Sequence, residues 1–381
     1  MQVCMLVLNK FTHDTRVYKQ ARTLTKAGYD VTIWALGDGV LPAIEQLGGF
    51  TVKRWITRLP KLRFRVPGLT YSELVFQMTR RLRREKASIY HAHDANALPS
   101  SYLAARMNGA HLIYDAHEFW PSAQGRDWRS RFRLATLKRL EGSLCRRAQG
   151  VITVNTTIAQ ELNKLYGVAP IVLMNCQKYV EIARSDILRR ELDIAAEDRI
   201  AIYTGLWADG RGLEQLIASV PYLDRVVVVL MGPDRLNGKL ERLAQELGVQ
   251  DRVKFHPPVP PDQVSRYVVS ADIGLMPTLA TKLSYYYGSG NKLFHYLMAG
   301  IPAAVSDHPE KRRIIQTYDV GITFDETNPE NIAQAINTVL NDEPRYLQLC
   351  RNALKATRET LNWQVEEQKL LNLYHSLPKR R

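Results

Sequence analysis

Residues 288–293 read Gly-Ser-Gly-Asn-Lys-Leu and lead into an amphipathic run over 290–299 that carries His295 and ends in Ala-Gly-Ile-Pro. A second cation, Arg211, stands in Asp-Gly-Arg-Gly just ahead of another helical run, 212–219. Unbonded N–H groups at a helix start, glycines that admit close approach and two cations together make a cradle for a diphosphate. The pattern is not a Walker A loop, which needs GxxxxGK[ST]. It is not a dinucleotide fingerprint either, because Leu-Asn-Lys-Phe-Thr-His-Asp follows the first strand-like run where GxGxxG would stand. Glycines before a helix are also ordinary turn residues, so spacing alone leaves both readings open.

Three polar groups in the N-terminal half complete the inventory. Asp14 and Arg16 lie in His-Asp-Thr-Arg, His93 and Asp94 in His-Ala-His-Asp, and His117 in Asp-Ala-His-Glu. Asp14 precedes a helix and could simply cap it. His93 and Asp94 could hold a hydroxyl or serve as turn and cap residues. His117 could be a functional imidazole or a satisfied histidine at a strand end. No Asp-x-Asp pair occurs, so a diphosphate bridged by a metal on paired carboxylates is not expected.

These residues need a framework that brings loops together. Short apolar runs predict strands at 2–8, 31–35, 51–56, 88–92, 111–115, 151–154 and 171–174, then at 200–205, 226–231, 253–255, 272–276, 302–305 and 321–324. Amphipathic stretches separate them, such as 15–27, which ends at Gly28. A final helix is expected over 345–375. Strands alternating with helices imply parallel sheets covered on both faces. In open sheets of this kind ligands bind beyond the C-terminal ends of the strands, where the residues singled out here lie. The expected architecture is α/β, with two doubly wound Rossmann-like domains facing a cleft and a boundary near 175–185.

At 381 residues the chain exceeds what one hydrophobic core usually organises, in agreement with two domains. Apolar residues make up 45% and charged residues 24%, an ordinary globular composition. No run approaches the roughly 20 apolar residues of a membrane-spanning helix. The first strand follows Met1 with no basic leader, so no signal peptide is expected. Cys4, Cys145, Cys176 and Cys350 form no CxxC pair and read as reduced thiols of a cytoplasmic protein. The formal charge of +14 is concentrated: residues 53–86 carry +9 and residues 126–147 carry +6. Both stretches interleave bases with apolar residues, which suits an anionic membrane surface as well as a solvated basic face. No RRM, KH, zinc-finger or helix-turn-helix signature accompanies the charge, so nucleic acid is not an expected partner.

Five strings in order carry a family resemblance: FTHDTRVYKQARTLTKAGYDVTI, IYHAHDANALPSSYLAARMNGAHLIYDAHEFW, GVITVNTTIAQELNKLYGV with VLMNC, YTGLWADGRGLEQLI, and NKLFHYLMAGIPAAVSDHPE. The chain resembles the family 4 retaining glycosyltransferases of GT-B fold (glycosyl transferases group 1). The resemblance implies an N-terminal acceptor-binding domain over 1–177, a donor-binding domain over 178–362, and a last segment, 363–381, that crosses back to the first. It implies a nucleoside-diphosphate sugar as co-substrate, no required metal, and a glycan or lipid-linked acceptor in cell-envelope or exopolysaccharide synthesis. The protein would then work in the cytoplasm, at the inner face of the membrane. His117, Arg211 and Lys292 take the catalytic positions. Gly205, Gly288, Ser289, Gly290, Asn291, Leu293, His295 and Glu310 take donor-binding positions, and Asp14, Arg16, His93 and Asp94 acceptor-binding ones.

The departures from the family pattern are specific. Many members have two glutamates eight positions apart, and here Tyr287 and His295 occupy those places. Leu206 stands where many relatives have arginine. Two other readings therefore stay open at this level: a sugar-nucleotide epimerase of the same fold, and a non-catalytic relative that binds membranes or a partner.

Overall fold

The structure, a computed structural model, describes residues 1–12, 14–56, 67–119 and 128–378. It divides into two compact units, Met1–Asn175 with Glu366–Arg381, and Cys176–Val365. Parts of both basic stretches, 57–66 and 126–127, lie outside the described residues, as do 379–381.

The first unit contains β1 (Gln2–Leu6), α1 (Thr15–Lys26), β2 (Asp30–Leu36), β3 (Ile44–Leu47), β4 (Phe50–Trp55), α2 (Pro67–Arg84), β5 (Ile89–His93), α3 (Leu98–Asn108), β6 (His111–Ala116), α4 (Trp128–Cys145), β7 (Gly150–Thr153), α5 (Thr156–Tyr166) and β8 (Ile171–Val172). Its sheet runs β3-β4-β2-β1-β5-β6-β7-β8 and is parallel except for β3. Successive strands fan out in opposite directions from β1 and β5, whose register sets Met5 opposite both Ile33 and His91. The gap between the C-terminal ends of β1 and β5 is the topological switch point, where a doubly wound sheet offers a crevice to ligands.

The second unit contains α6 (Ile187–Glu191), β9 (Arg199–Thr204), α7 (Leu213–Ser219), β10 (Val226–Met231), α8 (Lys239–Glu246), β11 (Val253–His256), α9 (Val264–Val268), β12 (Ile273–Met276), α10 (Leu283–Tyr287), α11 (Asn291–Met298), β13 (Ala303–Ser306), α12 (Pro309–Tyr318), β14 (Gly321–Phe324), α13 (Pro329–Leu340) and α14 (Glu343–Glu359). Its parallel sheet runs β11-β10-β9-β12-β13-β14, so the switch point lies between β9 and β12. All six residues of β10, VVVVLM, are buried, as a strand covered on both faces requires. The core joins this strand to Leu213, Leu216 and Ile217 of α7 and to Ile332, Ile336 and Val339 of α13. α15 (Trp363–Ser376) begins in this unit and the chain passes to the first within it, at residue 366.

Two elements differ from the sequence expectation. The short antiparallel β3 was not expected, because Ile-Glu-Gln-Leu is half-exposed and carries no strong apolar run. The helix expected over 345–375 is two helices, broken at 360–362. Asn362 Oδ1 accepts from Val365 N at 3.0 Å and starts α15 afresh. Among the described residues no helix is long and apolar enough to cross a membrane, and the four cysteines form no disulfide.

Candidate functional site

In the second unit the loops leaving β9, β12 and β13 bring three cations together. Gly205 follows β9 with a φ of 119°, and a Cβ there would stand 2.7 Å from Lys292 Cε. Only glycine lets the Lys292 side chain cross the backbone at this point. Lys292 Nζ donates to the Tyr203 hydroxyl at 2.9 Å, and that hydroxyl donates to the Leu206 carbonyl at 3.0 Å. Burial pushes the Tyr203 phenol up, so it keeps the proton it donates. α11 starts on Gly290, at a φ of 72°, and has no side-chain cap of its own. Tyr296 pins this helix to the strand ends: its hydroxyl accepts from Thr204 N and donates to the Leu275 carbonyl, both at 3.1 Å.

The Arg211 guanidinium lies 4.7 Å from the centre of the Tyr285 ring, and its Nε is buried without a hydrogen-bond partner among the described residues. The backbone of the same tyrosine holds the third cation. Lys311, in the first turn of α12 and 1% exposed, donates to the Tyr285 carbonyl at 3.2 Å and lies 2.8 Å from His308 Nδ1. His308 Nε2 in turn lies 2.9 Å from Glu326 Oε1. Burial, reinforced by the charges of Arg211 and Lys311, lowers the Lys292 amine to about 7. Burial lowers Lys311 to about 7 as well, with Glu326 opposing the shift and Arg211 adding to it. None of the three cations has a carboxylate within 4.0 Å among the described residues.

The remaining donor-binding expectations fall around this cluster with different environments. Ser289 is buried, Asn291 is exposed at the start of α11, and a Cβ on Gly288 would meet the Ser284 carbonyl at 2.6 Å. The Leu293 side chain is wholly in the core, so only its backbone can meet a ligand. His295 Nε2 lies 3.3 Å from Gln177 Nε2. Glu310 is fully buried and paired with Arg313 at 2.7 Å. Lys311 and His308 were missed at the level of sequence, although they follow β13 in the same strand–turn–helix arrangement that singled out Arg211 and Lys292.

In the first unit the expected residues gather at the ends of β1, β5 and β6 around a carboxylate that the sequence did not single out. Asp115 is fully buried. It takes Arg16 Nε at 2.9 Å and Nη2 at 2.7 Å, and Gln20 Nε2 at 2.6 Å. Arg16 also donates to the Leu173 carbonyl at 2.6 Å, so its guanidinium is engaged within the fold. Asp14 caps α1, accepting from Val17 N at 3.1 Å, as the capping reading anticipated. His117 Nε2 lies 3.3 Å from Asp115 and 3.1 Å from His93 Nδ1, while its Nδ1 lies 3.5 Å from Asp94. Asp94 holds a φ of 67°, a left-handed conformation that Asp tolerates better than most residues, and accepts from His117 N at 3.2 Å.

This network sorts the histidines. Burial lowers His117, but Asp115 and Asp94 more than offset it and the ring ends above its ordinary value. Burial holds His93 below its ordinary value, and His91, stacked on it at 4.3 Å, well below. Burial opposes ionisation of Asp115, but Arg16 and His117 overcome it and hold the carboxyl well below the usual range. Among the described residues the donor atoms of His91, His93 and Asp115 are close enough to share a cation. The Asp115 oxygens are already occupied by Arg16 and Gln20, and the guanidinium supplies the positive charge there, so the trio carries no metal assignment.

Comparison with known proteins places the two halves of the chain in a family context. Residues 14–176 match Glycosyltransferase Family 4, and residues 184–357 match Glycosyl transferases group 1. An uncharacterised glycosyltransferase of Methanocaldococcus jannaschii, MJ1607, is 28% identical over 189 residues, covering 49% of this chain and 47% of its own. The D-inositol 3-phosphate glycosyltransferase of Corynebacterium glutamicum is 25% identical over 201 residues, covering 49% and 46%. The chain thus spans about half the length of the curated relatives it matches. Among solved structures, sucrose-phosphate synthase of Thermosynechococcus elongatus superposes with a TM-score of 0.79 at 16% identity, covering 98% of each chain. Anabaena HepE in complex with UDP gives 0.78 at 17% identity, covering 99% of this chain and 100% of its own. These likenesses establish the fold.

Proposed function

The chain belongs to the family 4, group 1 glycosyltransferases of GT-B fold, and from that premise we propose that it moves a sugar from a nucleoside-diphosphate donor to a glycan or lipid-linked acceptor. The transfer would retain the anomeric configuration and need no metal. The observation that carries this reading is the pair of Arg211 and Lys292 at the switch point of the second unit, without a carboxylate counter-ion among the described residues. Like charges gathered in a low-dielectric site repel one another unless an anion joins them. A diphosphate fits that requirement. As the sugar–oxygen bond lengthens, charge builds on the leaving diphosphate, and fixed cations stabilise that charge more than the ground state.

The first unit would bind the acceptor. Its raised imidazole, His117, with its two ring nitrogens facing Asp94 and Asp115, would lend positive charge beside a hydroxyl of the acceptor. Arg16 would act by fixing Asp115, and Asp14 by capping α1. On the donor side His295 would contact the ribose, a role in which one ring nitrogen accepts where a carboxylate would offer two oxygens.

Thermal-shift measurements on the full chain with UDP, GDP, ADP, dTDP, CMP and their sugar conjugates test the donor site. Donor at about 100 times its dissociation constant stabilises by roughly 2.7 kcal/mol, and the shift should persist in EDTA. A shift abolished by EDTA would refute the metal-free site. No shift with any nucleotide would refute the donor assignment. Conversion of a radiolabelled nucleotide sugar then separates transfer from epimerisation and from no reaction.

The envelope role rests on the basic surface. Phe76, Arg80, Arg83 and Arg84 are exposed and fall on one face of α2 by their spacing. Arg139, Leu140, Arg146 and Arg147 are exposed at and beyond the end of α4. We expect binding to phosphatidylglycerol-containing vesicles that weakens with salt and is lost in R80E/R83E/R84E. Salt-independent binding would rule out an electrostatic anchor.

A further inference from the structure

We propose that Lys311 is a third binding residue for the donor's diphosphate, and that His308 and Glu326 are positioning residues that hold its ammonium. The proposal rests on the donor reading given above and extends it to residues that lie outside the glycine-rich loop and the Asp-Gly-Arg-Gly segment. Three observations carry it.

The first is placement. Lys311 lies in the first turn of α12, directly beyond β13, and Arg211 and Lys292 follow the neighbouring β9 and β12. One residue links two of the cations: the Tyr285 carbonyl accepts from Lys311 while the Tyr285 ring carries the Arg211 guanidinium. The second is burial without neutralisation. A lysine that is 1% exposed ordinarily has a carboxylate against it, and among the described residues Lys311 has none within 4.0 Å. Glu326, the negative group that acts on it, lies on the other side of the imidazole of His308.

The third is the chain Lys311–His308–Glu326 itself, with separations of 2.8 and 2.9 Å. With the ammonium donating to Nδ1, His308 carries its proton on Nε2 and donates it to Glu326. Two of the three ammonium hydrogens are thereby directed to Tyr285 and His308, leaving one for a ligand oxygen. The charged groups that act on Lys311 come from every side of the cluster. Arg211 and Lys292 come from the β9 and β12 loops, His308 from its own helix start and Glu326 from beyond β14. Arg345 and Asn352 of α14 bond to Asp319, at the far end of α12.

Because burial and Arg211 leave the free amine near neutrality, a bound dianion must restore its proton. The same applies to Lys292. Below about pH 7 both amines are charged before binding and affinity is flat. Above it each lysine that meets the diphosphate takes up one proton on binding, so affinity falls up to tenfold per pH unit per lysine.

The test is isothermal titration of the full chain with UDP-glucose, GDP-mannose, ADP-glucose and dTDP-glucose. Both phosphates of these donors are esterified, so the ligands do not titrate in the neutral range. The tightest binder is then followed from about pH 6.5 to 8.5 in buffers of different ionisation enthalpy. In Lys311→Met we expect affinity at low pH to fall about ten- to a hundredfold, and proton uptake at high pH to fall by about one per site. Lys311→Arg should regain affinity but not the lost proton. His308→Gln should shift the midpoint of the pH dependence while the fold, followed by circular dichroism, is unchanged.

Wild-type affinity and proton uptake in Lys311→Met, with Arg211→Ala impaired, would overturn this proposal and leave the donor site standing. A loss of affinity in Lys311→Met that is equal at every pH, with uptake unchanged, would overturn it too, because Lys311 would then act only on the fold. Absence of binding by the wild-type chain to all four donors would overturn both readings together.

Discussion

Replacing Arg211 by alanine is expected to lower sugar transfer, or hydrolysis of the donor where no acceptor is supplied, by about a hundred- to a thousandfold. That corresponds to roughly 3–4 kcal/mol of transition-state stabilisation, the range for removing one preorganised electrostatic donor. The fold should survive. Arg211 makes no ion pair among the described residues, so its loss strands no buried carboxylate. It also lowers the pKa of both Lys292 and Lys311, so removing it relieves repulsion and should leave the melting temperature unchanged or raised. This combination of lost turnover and kept stability is what distinguishes a site built for a ligand from one built for the fold. Lysine at the position should recover only part of the rate, because an ammonium cannot span two phosphate oxygens as a guanidinium does. Steady-state rates and a melting curve on the same preparation decide the matter. Wild-type turnover in the alanine variant would remove Arg211 from the phosphate site.

Asp115→Asn should give the opposite pattern, a large loss of stability. The carboxylate and Arg16 are both buried, and breaking such a pair leaves an uncompensated charge at a cost of about 3–5 kcal/mol. For a unit of this size that is on the order of 10 °C in melting temperature. A change of a degree or two would mean that water reaches the pair. The pH dependence follows from the shifts around it. Asp115, with its folded pKa held down, stabilises above the unfolded value near 4 and loses that contribution only as pH falls through its lower folded value. His91 and His93, also held down, cost stability sooner, as pH falls below about 6.5. His117, held up, adds stability below about 6.5 that is lost as pH rises through its folded value. Asp115 raises His93 and His117, so its removal should make the chain more sensitive to mild acid.

Much of the framework was legible because buried parallel strands leave short apolar runs, as in VVVVLM, and each helix between them has an amphipathic face. β3 was not, since a half-exposed edge strand needs no such run. The break at Asn362 escaped notice because no glycine or proline marks it. Arg211 and Lys292 could be found from their setting beside glycines at helix starts. Lys311 could not: Glu-Lys-Arg-Arg reads as a solvated charged turn, and only the three-dimensional packing shows that its glutamate and lysine are buried. Arg16 and Asp115 lie 99 positions apart, and nothing local to either announces the other.

The last helix has a consequence for how the protein comes into being. The Tyr374 hydroxyl lies 2.8 Å from His91 Nδ1, Glu366 accepts from Met174 N at 2.9 Å, and Leu370 and Leu373 are buried. These groups complete the first unit, yet a ribosome makes them only after the whole second unit. During translation the sheet of the first unit therefore waits with His91 and the surface around Gly150 uncovered, while the second unit can close as soon as it emerges. The first half to be synthesised is the last to be finished, and in that interval its bare face is open to chaperones and to association with other nascent chains.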